Sequence, residues 1–146
     1  MRNGMSATVM ILTLVLATGA VWAEGSKGKP LYERLGGKDA ITAVVDTFVG
    51  KVGADQRING YFASTDLTKL KMHLVNQICE ASGGPCKYTG RTMKQTHAGM
   101  GVTDAAFGAL VEDLVAALDH YKVGKTEKDE LLGVLGPMKG DIVEKK

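Results

Sequence analysis

The stretch YTGRTMKQTHAGMGVT, residues 88–103, sets His97 between glycines, with Met93 four residues before it. A neutral imidazole nitrogen bonds strongly to a metal, and its other ring N–H is readily fixed by a backbone carbonyl. Spacing alone leaves His97 open between an iron ligand and a packed core histidine. A second histidine, His73, lies three residues after Leu70 and four before Gln77, on or beside an apolar stripe. The third, His120 beside Asp119, reads as an exposed residue without a role. Cys79 and Cys86 in ICEASGGPCKY leave two readings: a disulfide turned by Gly83, Gly84 and Pro85, or two independent thiols at a helix end. The set His73, Cys79, Cys86 and His97 contains zinc-type ligands, but its spacings fit no compact finger. There is no Cys-x-x-Cys-His run for covalent c-type haem attachment. No nucleophile with a base, phosphate loop or flavin motif is present, so any enzymatic activity would belong to a bound cofactor.

The 146 residues are 45% hydrophobic and 23% charged, the composition of one globular domain with a real core. The first 23 residues read as a secretory signal: Arg2, an apolar run from about Val9 to Leu16, then small residues ending at Ala23. That run is shorter than the roughly 20 residues a membrane-spanning helix needs. The expected organisation is therefore a signal peptide over 1–23 and a domain over 24–146, exported to an oxidising compartment such as a bacterial periplasm. After cleavage no membrane association is expected. Removing Arg2 and no acid leaves 17 basic against 16 acidic residues, a net charge of +1. That balance argues against a nucleic-acid partner.

The elements that must position these residues are helical. Ile41, Val44, Val45, Phe48, Val49 and Val52 recur on one face of a first helix that ends near Gly53 and Asp55. Leu67, Leu70, Leu74 and Ile78 mark a second, with Thr65 or Asp66 as its cap and Gly83, Gly84 and Pro85 closing it. A short helix is expected around Met93–Ala98, broken by Gly99 and Gly101. Thr103 caps a longer helix carrying Phe107, Leu110, Val111, Leu114, Leu118 and Tyr121, ended by Gly124. Thr126 starts the last, with Leu131, Leu132, Leu135 and Met138 inward and Pro137 kinking or ending it. No segment alternates as a strand would, so the class is all-α. The 19 glycines let helices cross steeply, unlike a bundle with a uniform heptad seam.

LYERLGGKDAI at 31–41, ADQRINGYF at 54–62, ASGGPCKYTGRTMKQTHAGMGVT at 81–103 and LLGVLGPM at 131–138 together resemble the group I truncated haemoglobins. The likeness runs in order over nearly the whole of residues 24–146. It implies a two-over-two helical sandwich around one non-covalent haem b per chain, with His97 as the proximal iron ligand. It also implies that Phe62 packs on the haem face, Phe48 walls the distal pocket, Met93 borders the ring, and Tyr88 and Lys94 reach the propionates. Plain core packing accounts equally for Phe62 and Met93.

The distal side departs from the family pattern. Many group I members hold a bound gas with a tyrosine on the first helix and glutamines on the next. Here those places fall on Val49, Leu70 and Leu74. A dioxygen ligand draws negative charge onto its outer atom, so an apolar pocket offers it fewer hydrogen bonds. His73 stands where some members supply a histidine as sixth ligand. It is read three ways: sixth ligand in the resting state, mobile donor to a bound gas, or solvent-facing residue. The resemblance thus implies reversible binding of O2, NO or a similar diatomic gas, with oxidation of NO to nitrate as an accompanying activity. The alternative is a bis-histidine protein for electron transfer or redox sensing, with a redox partner. The oligomeric state is left open.

Overall fold

A computed structural model of the chain describes residues 28–145. The expected signal peptide, residues 1–23, lies outside them. Among the described residues the elements are helical. They run α1 (Leu31–Arg34), α2 (Gly37–Ala54), a 3-10 turn (Asn59–Phe62), α3 (Leu67–Ala81), α4 (Met93–His97), α5 (Asp104–His120), α6 (Lys125–Leu135), a second 3-10 turn (Gly136–Met138) and α7 (Lys139–Ile142). The only extended pairing among the described residues is a bridge between Thr103 and Lys145. None of their helices is long and apolar enough to cross a membrane.

Helix α2 is the central element, packed against both α3 and α5. All six of its expected inward residues, Ile41, Val44, Val45, Phe48, Val49 and Val52, are buried. Burying such a stripe on two partners supplies most of the stability of a helix this long. Leu114, Ala117 and Leu118 of α5 and Leu131 of α6 complete the core. Side-chain caps set two of the helix starts: Asp66 accepts from the Lys69 amide, and Thr103 from the Ala106 amide.

Two expectations are corrected. The buried face of α3 is Val75, Ile78 and Cys79, whereas Leu67 is 46% exposed and Leu70 and Leu74 are only half-buried. The leucine stripe therefore borders open space instead of core. Tyr121 is also exposed: α5 ends at His120, one residue earlier, and the chain turns through Lys122 at φ 56°. Pro137 behaves as anticipated. It ends α6 at Leu135 and sits in the 3-10 turn that leads to α7.

The C-terminal tail is clasped to the loop before α5. Val102 O accepts from the amides of Glu144 and Lys145, and the Asp104 amide donates to Lys145 O. At the other end of the molecule a disulfide joins Cys79 to Cys86, with 5.6 Å between their Cα atoms. Gly84 lies between them, its amide donating to Cys79 O at 2.7 Å. A Cβ there would meet Tyr32 Cδ2 at 2.5 Å, Cys79 Sγ at 2.7 Å and Cys79 O at 2.8 Å. Backbone and a cross-linked sulfur cannot move aside. Gly84→Ala is accordingly expected to cost about 2 kcal/mol or more, read as a lower denaturant midpoint with an unchanged m-value.

Candidate functional site

His97 ends the five-residue helix α4, which is too short to persist on intrinsic propensity. Its start is fixed by a reciprocal pair: Thr92 Oγ1 accepts from the Gln95 amide, and Gln95 Oε1 accepts from the Thr92 amide. Its end is fixed by Gly99, whose φ of +80° is readily reached only without a side chain. Between these stops, His97 Nδ1 lies 2.7 Å from Met93 O. A carbonyl oxygen only accepts, so Nδ1 must carry the proton. The ring is then held in the tautomer whose Nε2 keeps its lone pair free. The ring is half-buried, in reach of a bound group.

The 3-10 turn, the start of α3 and the end of α2 form an apolar wall. A cavity of about 390 Å³ is lined by Val49, Val52, Phe62, Leu67 and Leu70, with Asn59 as its one polar side chain. Leu74, half-buried, continues the leucine stripe one turn on from Leu70. This open side explains why the stripe is not in the core. Of the residues expected around the haem, Phe62 and Leu70 line this cavity, whereas His97, His73, Leu74, Tyr88, Met93, Lys94 and Phe48 do not; Phe48 is buried in the core cluster next to Val49.

On the next turn of α3, His73 packs edge-on against Tyr88, ring centres 5.7 Å apart and planes at 70°. His73 Nδ1 is buried and has no hydrogen-bond partner. Tyr88 is engaged elsewhere as well: its hydroxyl donates to Arg91 O at 2.6 Å and its amide to Glu80 Oε2 at 3.0 Å. With that proton already given to Arg91, Tyr88 is not free to donate to a propionate while the bond stands. Lys94 is exposed and forms no ion pair among the described residues.

Sequence reading missed the part played by Gln77. Its amide donates to Met93 Sδ at 3.4 Å and to Met138 Sδ at 3.2 Å, joining α3 to α4 and to the turn after α6. A polar residue one turn from His73 was the available signal. Two shifted carboxyl groups, Asp55 and Asp113, lie at the α2–α5 corner, where side-chain and backbone hydrogen bonds from Arg57 hold Asp55 below its ordinary range. There burial, and then the charge of Asp55, push Asp113 up from its ordinary range.

No cluster of three or more His, Cys, Asp or Glu side chains suited to a bare metal ion occurs among the described residues. The zinc reading also loses its thiolates to the disulfide. What the residues fit is a flat, largely apolar group that brings its own in-plane ligands and takes an imidazole from the chain. The free Nε2 of His97, the apolar wall and the unpaired nitrogen of His73 all suit a haem.

Comparison with known proteins agrees. A family model described as bacterial-like globin matches residues 30–144. The group 1 truncated haemoglobin GlbN of Mycolicibacterium paratuberculosis is 36% identical over 124 residues, covering 84% of this chain and 91% of that protein. The crystal structure of truncated haemoglobin from Tetrahymena pyriformis in the Fe(III) form superposes with a TM-score of 0.76 at 31% identity, over 79% of this chain and 98% of that one. The 2/2 haemoglobin from Synechococcus, in the cyanomet state with covalently attached haem, gives 0.74 at 36% identity, over the same shares of the two chains.

The Thr92 cap isolates the contribution of α4. Thr92→Ala is expected to cost about 1 kcal/mol of local stability. Amide exchange at Thr96 and Ala98 should then quicken roughly fivefold while core amides of α2 stay unchanged.

Proposed function

The chain belongs to the bacterial-like globins and, within them, to the group 1 truncated haemoglobins, and from that premise we propose an exported protein that binds one non-covalent haem b through His97 and reversibly takes up O2 or NO. The observation that carries this reading is the 2.7 Å contact from His97 Nδ1 to Met93 O. It presents a neutral imidazole with its Nε2 available. When bound, the haem would supply an iron able to take up a diatomic gas, with His97 holding it through Nε2.

The chain's own residues then determine how that gas is held. Val49, Phe62, Leu70 and Leu74 exclude water and offer no proton. Gln77 cannot supply one without leaving the two methionine sulfurs. His73, three residues on from Leu70 along α3, is the polar donor we assign to this side, although Asn59 is the polar side chain that lines the cavity itself. His73 would hold the iron in the absence of a gas and would donate a hydrogen bond to the gas once it is bound. With few other hydrogen bonds to the polar outer atom, release is fast. Oxidation of NO to nitrate by O2, with the one electron that balances it drawn from the ferrous haem, is an accompanying activity, supported by a cavity suited to small apolar molecules. Non-covalent attachment is supported by the absence of a Cys-x-x-Cys-His run and by the disulfide that occupies both cysteines.

One observation favours a second reading. Tyr88, packed against His73 with ring centres 5.7 Å apart, supports a ring held in one orientation, as a ring kept on the iron would be. That makes a six-coordinate protein for electron transfer or redox sensing. Export is supported by the charged and apolar pattern of residues 1–23 and by a disulfide of the kind that persists in oxidising compartments. Cell fractionation should find a mature chain that begins at Glu24.

His97→Ala should lower haem affinity about 100-fold or more, taking the haem content of the purified chain from about one to near zero. Added imidazole should restore part of it, while far-ultraviolet circular dichroism keeps its helical shape. Full haem content in the variant without imidazole would contradict the assignment.

A further inference from the structure

The Cys79–Cys86 bond ties the end of the helix that carries His73 to the strap of residues 82–92, which leads into the helix that carries His97. Tyr88 lies in this strap, two residues after Cys86. It is positioned by its amide on Glu80, its hydroxyl on Arg91, and the anchor at Cys86. His73 has no hydrogen bond from Nδ1 to fix its ring, and Tyr88 packs against it in a T-shaped contact. The disulfide therefore bears on the orientation of His73 through Tyr88.

We propose that Cys79–Cys86 is a thiol–disulfide exchange site for a dithiol reductant, and that opening it frees Tyr88 and lowers the share of His73 held on the haem iron. The second half rests on the haem reading above. The two sulfurs differ in access. Cys79 is fully buried, while Cys86 is half-buried between the exposed Pro85 and Lys87. A thiolate of the reductant attacks the Cys86 sulfur, and the electron pair of the broken bond leaves on Cys79 Sγ. The Cys86 amide donates to that sulfur at 3.3 Å, which favours its departure as a thiolate before it takes a proton. The second thiol of the reductant attacks its own mixed-disulfide sulfur and expels Cys86 as a thiolate, which is also protonated. Two electrons and two protons pass to the chain, and the reductant becomes a disulfide.

The effect on His73 follows from the cost of ordering. Holding an imidazole on an axial position requires one ring orientation, and Tyr88 in an anchored strap supplies it in advance. A loosened strap withdraws that support. Tyr88 is thus a positioning residue for His73.

The test uses the haem-loaded ferric protein, treated with dithiothreitol and then freed of it under argon. Three quantities are read: thiols per chain, haem per chain, and the ratio of low-spin to high-spin haem from the visible spectrum. Two thiols should appear and haem content should hold. The spin ratio should fall about threefold or more and return on reoxidation. Tyr88→Leu should show the low ratio already in the disulfide form and respond no further, and Tyr88→Phe, which keeps the ring edge, should respond like the parent. A bond that yields no thiols in the folded protein, or an unchanged spin ratio at full haem content, would overturn the exchange proposal alone. Absence of haem in both forms would overturn it together with the haem reading.

Discussion

The hydrogen bond from His97 to the Met93 carbonyl is the constraint on which the site depends. One bond selects the tautomer, fixes the plane of the ring and leaves a single nitrogen for chemistry. It exists only if α4 forms, and α4 is one turn long. The chain compensates with a reciprocal cap at one end, a glycine in the left-handed region at the other, and Gln77 bridging Met93 to Met138 from outside. Each device is modest alone. Together they hold a ligand on an element that would not persist by itself.

The opposite wall follows from the same economy of polar groups. Val49, Leu70 and Leu74 stand where a hydrogen-bonding distal site would carry tyrosine and glutamine, so polarity is concentrated in His73. On the proposed reading a single imidazole is both ligand and donor, so gas binding would depend on how firmly that ring is held. The strap from Cys79 to Arg91 would supply the hold, through the disulfide and Tyr88. Core packing and site control thus meet at the end of α3, whose buried residues include Cys79 itself.

The sequence was most legible where a helix is covered on two sides. Every member of the α2 stripe proved buried, because a face packed against both α3 and α5 shows its full period. On α3 the same periodicity misled. It marks apolar residues without distinguishing a protein neighbour from a cavity: of the expected stripe, Leu67 and Leu70 line the cavity, Leu74 packs half-buried against the core, and Ile78 is in the core. Helix α1 and the 3-10 turn at Asn59–Phe62 are too short to carry any period. As for the site, spacing alone left His97 undecided; the family likeness singled it out, and the Met93 contact supplied the physical reason. The role of Gln77 depends on tertiary contacts to Met93 and Met138 that no local pattern encodes, and the Tyr88 hydroxyl bond to Arg91, though local, has no periodic signature.

The central claim is that one haem lies between His97 and His73 in an otherwise apolar cleft. The most direct test is the visible spectrum of the reduced, haem-loaded protein under argon beside that of its His73→Leu variant. The account requires sharp, split low-spin bands in the parent and one broad high-spin band in the variant, with haem content equal in both. A broad five-coordinate band in both proteins, or low-spin bands that survive the substitution, would contradict it.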